Sequence, residues 1–76
     1  MCGIIGRLNH DFEINTAVFT TMRDTLTHRG PDGCGLYISD DNKTALGHRR
    51  LSFLDLTEAG AQPICNESGN IWLTIN

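Results

Sequence analysis

The second residue of this chain is a cysteine. Removal of Met1, which the small side chain of Cys2 permits, would leave one residue carrying both a thiol, ordinarily of pKa about 8.5, and an α-amine of about 7.7–8.0. That amine can be neutral near pH 7 and take a proton, so an N-terminal cysteine can carry its own general base, directly or through one water. Without such processing Cys2 reads as a small buried side chain that happens to come second. Other reactive types group less well. His10, His28 and His48 show no ligand-like spacing with Cys2, Cys34 and Cys65, and there is no CxxC, so neither a metal centre nor a thiol-redox module is expected. The basic triplet His48-Arg49-Arg50 could meet phosphate, yet the chain carries a net charge of −3 and no interleaved aromatics, which disfavours nucleic acid. The glycine-rich stretch from His28 to Gly35 lacks the Lys-Ser/Thr of a phosphate loop and does not follow a strand. Cys34 and Cys65 read as core or loop thiols, Trp72 as core, and Glu58 and Glu67 as solvated charges.

These residues need elements to hold them. Cys2 to Leu8 has apolar residues on both faces and reads as a strand buried on both sides, its glycines allowing a neighbouring backbone or ligand to approach closely. Asn9 to Glu13 is a turn. A helix is predicted from about Thr16 to His28, where Ile14, Val18, Met22 and Leu26 recur at four-residue steps and Phe19 joins them. Asn15 is its N-cap, Ile14 and Phe19 form a hydrophobic staple, and Gly30-Pro31 ends it. Gly33 to Ser39 and Thr44 to Leu54 read as a hairpin turning at Asp40 to Lys43. A loop from about Asp55 to Ser68 leads to a last strand, Asn70 to Asn76. There Ile71, Leu73 and Ile75 share one face, and Trp72, Thr74 and Asn76 the other.

The chain has 76 residues, 39% of them hydrophobic and 20% charged, which is a globular composition. No apolar run approaches the ~20 residues of a membrane span. With an odd cysteine count and no signal peptide, a reduced, cytoplasmic setting without disulfides is expected. Burial in a chain this short returns on the order of 110 kcal/mol, about what ordering it costs. Asn76 closes an apolar alternating run without a cap. The expectation is therefore the N-terminal portion of a longer domain, with an open sheet edge through which a homo-oligomer would form.

Five blocks in order carry a likeness: Met1-Cys2-Gly3-Ile4-Ile5-Gly6, His28-Arg29-Gly30-Pro31-Asp32-Gly33, His48-Arg49-Arg50-Leu51-Ser52, Gly60-Ala61-Gln62-Pro63, and the strand ending in Asn76. Together they resemble class II glutamine amidotransferases, and most of all the N-terminal glutaminase domain of glutamine-hydrolysing asparagine synthetases. The resemblance implies an α+β fold, the N-terminal portion of an Ntn-hydrolase α-β-β-α sandwich. It implies that Cys2 attacks the glutamine amide, releases ammonia and forms a γ-glutamyl thioester. Arg50 would hold the glutamine carboxylate, residues Leu51, Ser52, Phe53 and Leu54 would line its pocket, and the Asn76 amide would help form the oxyanion hole. The His28–Asp32 loop would support the nucleophile. A planar guanidinium suits a carboxylate, and a preorganised amide at an oxyanion is worth about 2.7–4 kcal/mol.

The same likeness implies L-glutamine as substrate and no cofactor for the glutaminase part. ATP and Mg²⁺ would belong to a synthetase domain that amidates an aspartyl adenylate and is not in this sequence. The family continues after its asparagine with Gly-Glu and, some twenty residues on, an aspartate. These supply the second oxyanion donor and the ammonium ligands, and they too are absent from this sequence. Appreciable activity of this chain alone is not expected. Two alternatives stand beside the glutaminase reading: a non-catalytic truncated fragment, and an amidotransferase of the same lineage acting on a sugar or antibiotic precursor.

Overall fold

The computed structural model describes residues 2–51 and 61–75. Strands β1 (Gly3–Leu8), β2 (Gly33–Ile38) and β3 (Thr44–Arg50) form an antiparallel sheet in the order β1-β3-β2, and helix α1 (Thr16–Asp24) lies on one face of it. Two short strands, β4 (Ile64–Cys65) and β5 (Trp72–Leu73), pair antiparallel as a separate hairpin. The described residues are thus α+β, mostly antiparallel strands with one helix.

Register sorts the sheet's side chains into two faces. Gly3 pairs with Arg49 and Ile5 with Gly47 on one side of β3, while Leu36 pairs with Gly47 and Ile38 with Ala45 on the other. Partners point to the same face. Ile5, Leu36, Ile38 and Ala45 thereby share the helix face and pack around Phe19 and Ile14, both buried. Asn15 caps α1 as the sequence predicts, its Oδ1 accepting from Val18 N at 3.1 Å.

Tertiary packing departs from the sequence reading in several places. The buried stripe of α1 is Phe19 and Arg23, whereas Val18 and Met22 are exposed. Arg23 follows Phe19 by one turn and lays its stem along the sheet, which a hydrophobic count does not register. The helix stops at Asp24, and the chain continues through turns to Arg29. There Thr25 Oγ1 donates to the Met22 carbonyl and Thr27 Oγ1 to that of Asp24, local bonds that compete with further helix. Among the described residues strand β1 lies at an edge of the sheet, with Ile4 and Leu8 exposed rather than buried on both sides. Finally, the expected loop contains β4, and the expected last strand keeps its ladder only at Trp72–Leu73.

The hairpin of β4 and β5 is closed by Asn66, whose Oδ1 accepts from the N–H groups of Asn70 and Ile71, both at 3.0 Å. Trp72 is half-buried, not a core residue. Its ring stacks on Tyr37 with centroids 4.1 Å apart and planes 18° from parallel. Tyr37 alternates with the helix-facing Leu36 and Ile38, so this contact puts the hairpin on the face of the sheet opposite α1.

Two glycines let both layers come close. A Cβ at Gly47 would lie 2.8 Å from Ile5 Cγ2, 3.1 Å from Arg23 Cγ and 3.3 Å from Phe19 Cε2, so α1 packs where β3 has no side chain. On the other face, a Cβ at Gly35 would overlap the backbone carbonyl of Gln62. At Gly33 a Cβ would meet nothing closer than Arg50 Cβ at 3.7 Å, an ordinary contact. Gly35→Ala should therefore lower the unfolding free energy from urea denaturation by at least the ~1–3 kcal/mol typical of overpacking, with a lower urea midpoint. Gly33→Ala should leave it within about 1 kcal/mol. Equal midpoints for the two variants would remove the close approach at Gly35.

Candidate functional site

Cys2, Arg50 and Leu51 come together at one end of the sheet. The register places Gly3 opposite Arg49 and Gly33 opposite Arg50, so Cys2 precedes β1 where β3 is running out towards Leu51. Leu51 N–H points at Cys2 Sγ across 3.4 Å, and Sγ lies 3.9 Å from the Leu51 carbonyl oxygen. Sulfur and β3 terminus are therefore locked to each other although 49 residues apart in sequence. Cys2 itself is half-buried, neither sealed in the core nor free in solvent.

The segment after α1 wraps this end. Arg29 Nε donates to the Cys2 carbonyl at 3.3 Å, Asp32 N–H donates to the Arg50 carbonyl at 2.9 Å, and Pro31 bridges to Arg50 in parallel. Cys2, Gly3, Ile4, Leu26 and Arg29 line a cleft of about 220 Å³. Arg50 and Leu51 are not part of that lining. A second hollow of about 210 Å³ lies beside the helix start, between Arg7, Ile14, Asn15, Val18, Phe19 and Met22.

Two arginines to which the motifs assign no role secure the support. Arg49 Nε donates to the Gly30 carbonyl at 3.0 Å, and its guanidinium reaches Asp24 Oδ1 at 3.1 Å. It ties the sheet to both the end of α1 and the loop behind it. Arg23 Nε donates to the same Asp24 oxygen at 3.0 Å, and its Nη1 points at the Gly35 carbonyl across 3.4 Å. The hydrogen bond from Arg23, with the nearby Arg49 charge, holds the Asp24 carboxyl below its ordinary range. The signal that could have found Arg23 is its spacing of four from Phe19, with charge masking the periodicity.

His48 is buried on β3, facing away from α1 since Ala45 and Gly47 face towards it. Burial lowers its pKa from the usual 6.5, the Arg50 charge works the same way, and a backbone hydrogen bond with Ile75 opposes both. Cys34 and Cys65 are exposed, on β2 and β4, rather than in core or loop. Ser52, Phe53, Leu54 and Asn76, named from the sequence as pocket and oxyanion residues, lie outside the described residues, as do Met1 and Glu58. Among the described residues no three His, Cys, Asp or Glu side chains gather to hold a metal, and no helix is long and apolar enough to cross a membrane.

Comparison with known proteins settles the family. The glutamine amidotransferase domain family matches residues 1–76, the whole chain. This chain belongs to that family. It is 42% identical over 78 residues to a probable glutamine-hydrolysing asparagine synthetase of Dictyostelium discoideum, covering all of this chain and 14% of that protein. Against glutamine-hydrolysing asparagine synthetase 2 of Bacillus subtilis the identity is 38% over 80 residues, again all of this chain and 10% of the relative. An amidase of Gibberella zeae is 36% identical over 87 residues, with all of this chain and 13% of that protein covered. The chain thus spans between 10% and 14% of these relatives' lengths. No solved structure matches it significantly.

The state of His48 gives a pH dependence. Its folded pKa is depressed, so the unfolded chain binds more protons below pH 6.5. The stability that neutral His48 contributes is complete above 6.5 and is lost as pH falls towards the folded value. The ring proton resonances of His48 should titrate with a midpoint below 6.5, and the thermal midpoint should fall between pH 7.5 and the His48 midpoint. His48→Asn should flatten that slope. A His48 midpoint at or above 6.5 would contradict the assignment.

Proposed function

We propose that this chain is the nucleophile-bearing, N-terminal part of a type 2 glutamine amidotransferase domain. It would hydrolyse glutamine to glutamate and ammonia through a Cys2 thioester and, in the longer parent, feed asparagine synthesis from aspartate. One observation carries the reading most directly: Cys2 Sγ sits 3.4 Å from the backbone N–H of Leu51, the residue after Arg50, in a chain that matches the family over its whole length.

The chemistry assigned to these groups balances. With Met1 removed, the α-amine of Cys2 takes the thiol proton and the sulfur attacks the side-chain amide carbon of glutamine, forming a C–S bond. The resulting oxyanion is met by the Asn76 amide and, from beyond this chain, by a second donor. Collapse breaks the C–N bond, and the proton held by the amine leaves with ammonia. Water, deprotonated by the same amine, then cleaves the thioester to glutamate and restores the thiol. Arg50 clamps the substrate carboxylate, and the backbone of residues 51–54 lines the pocket.

The finer architecture follows the same line. Helix, sheet and β4–β5 hairpin are read as three successive layers of an α-β-β-α sandwich. Ile64, Ile71, Leu73 and Ile75 are all exposed, and Ile64 and Leu73 are cross-strand partners, an apolar face of the kind a further layer covers. The outer edges of β1 and β2 are where further strands of the parent, or a second copy, would pair. ATP and Mg²⁺ would act in the parent's synthetase domain. The setting proposed is the cytoplasm.

The test is an intact mass before and after 6-diazo-5-oxo-norleucine, followed by peptide mapping. Loss of Met1 and one adduct on Cys2, none on Cys34 or Cys65, is the expected result, and Cys2→Ser should abolish it. In the full-length parent, Arg50→Ala should raise KM for glutamine about 10- to 100-fold, the scale of a lost charge-assisted hydrogen bond. Met1 retained with no adduct, or equal labelling of the three cysteines, would instead mark a non-catalytic fragment.

A further inference from the structure

The run from Arg29 to Asp32 touches the backbone of both residues that the proposed reaction uses. Arg29 Nε donates to the Cys2 carbonyl at 3.3 Å, and Asp32 N–H donates to the Arg50 carbonyl at 2.9 Å. A glutamine held at its carboxylate by Arg50 and attacked by Cys2 spans the gap between them, so that gap must be constant. A misplacement of about 1 Å can lower a rate roughly 10²-fold. Towards α1 the run has turn bonds, Arg29 N–H to the Leu26 carbonyl at 2.9 Å and Gly30 N–H to that of Thr27 at 3.2 Å, which set its shape.

The middle of the run is held by Arg49. Nε of this side chain donates to the Gly30 carbonyl at 3.0 Å, and Nη1 donates to Asp24 Oδ1 at 3.1 Å. The same Asp24 oxygen accepts from Arg23 Nε at 3.0 Å, so the anchor at the end of α1 is itself held. The Arg49 side chain is 13% exposed, and Gly30 is buried against β3, where a Cβ would overlap the backbone of Arg49 and Arg50. A guanidinium donates in fixed directions from one plane, whereas a lysine ammonium is a point charge on a flexible stem. We infer that Arg49, anchored on Asp24, is a positioning residue, a strut that seats the Arg29–Asp32 run across Cys2 and Arg50 and so sets the separation between nucleophile and carboxylate clamp. The consequence for catalysis rests on the proposed glutaminase function; the strut rests on the contacts alone.

Two kinds of readout in the full-length protein separate these. Amide exchange at Asp32, followed by NMR or by mass spectrometry with fragmentation, should quicken at least about tenfold in Arg49→Met and in Arg49→Lys. The amides of the β1–β3 ladder should keep their rates. In glutamine hydrolysis both variants should lower kcat about 10- to 100-fold with KM within about twofold, because Arg50 still binds the carboxylate. Asp24→Asn, which keeps an acceptor oxygen, should retain most of kcat, and Asp24→Ala should not. Labelling of Cys2 by 6-diazo-5-oxo-norleucine, which engages Arg50 and Cys2 together, should slow with kcat. Iodoacetamide, which needs the thiol alone, should react within about twofold of the wild-type rate. Unchanged exchange at Asp32 in Arg49→Met, or equal quickening throughout the ladder, overturns the strut; should that variant not fold, Arg49→Lys and Asp24→Ala decide in its place. Wild-type exchange and kcat in Arg49→Lys would leave a role for charge only and overturn it too. Faster exchange with unchanged kcat, a loss confined to KM, or equal slowing of both reagents overturns the control of separation. A wild-type protein with neither glutaminase activity nor a Cys2 adduct removes that control together with the functional reading, while the exchange rates still decide the strut.

Discussion

Helix α1 and the Gln62–Pro63 segment press on opposite faces of one three-stranded sheet, and they do so at glycines. Gly47 takes Phe19 and Arg23 against β3, and Gly35 takes the Gln62 carbonyl against β2. Among the described residues the buried apolar core is small, Ile14, Phe19 and Ala45, so close packing at these glycines matters the more.

Charged side chains complete what apolar area leaves undone. Asp24 accepts from both Arg23 and Arg49, and Arg49 also holds the Gly30 carbonyl, so a single carboxylate at the end of α1 joins helix, sheet and following loop. Isolated surface ion pairs contribute little, but here the two guanidinium groups are largely covered and each also reaches a backbone carbonyl. The adjacent basic residues divide their work: Arg49 ties sheet to helix and loop, and His48 is buried on the face of the sheet opposite α1.

The site has a corresponding division. Cys2 and Leu51 meet through the β1–β3 register, a long-range pairing that the sheet enforces. The β4–β5 hairpin is held differently, by the Tyr37–Trp72 stack and by the Gln62 backbone carbonyl on Gly35.

Local chemistry made much of this chain legible in advance. Asn15 caps α1 because its short side chain reaches Val18 N–H, the polar turn before Thr44 closes β2 on β3, and the spaced motifs name the family that the comparisons establish. Those features depend on neighbours in sequence or on residue types that few backgrounds share. What needed the tertiary structure was every choice of face and partner. Arg23 outcompetes Val18 and Met22 for the sheet because Gly47 leaves room for its stem. Thr25 and Thr27 end the helix early, and beyond the β5 ladder the Ile75 N–H donates to Gln62 Oε1. Periodicity states which residues can share a face; only the packed layers decide which face is buried, because burial is a property of what arrives from elsewhere in the chain.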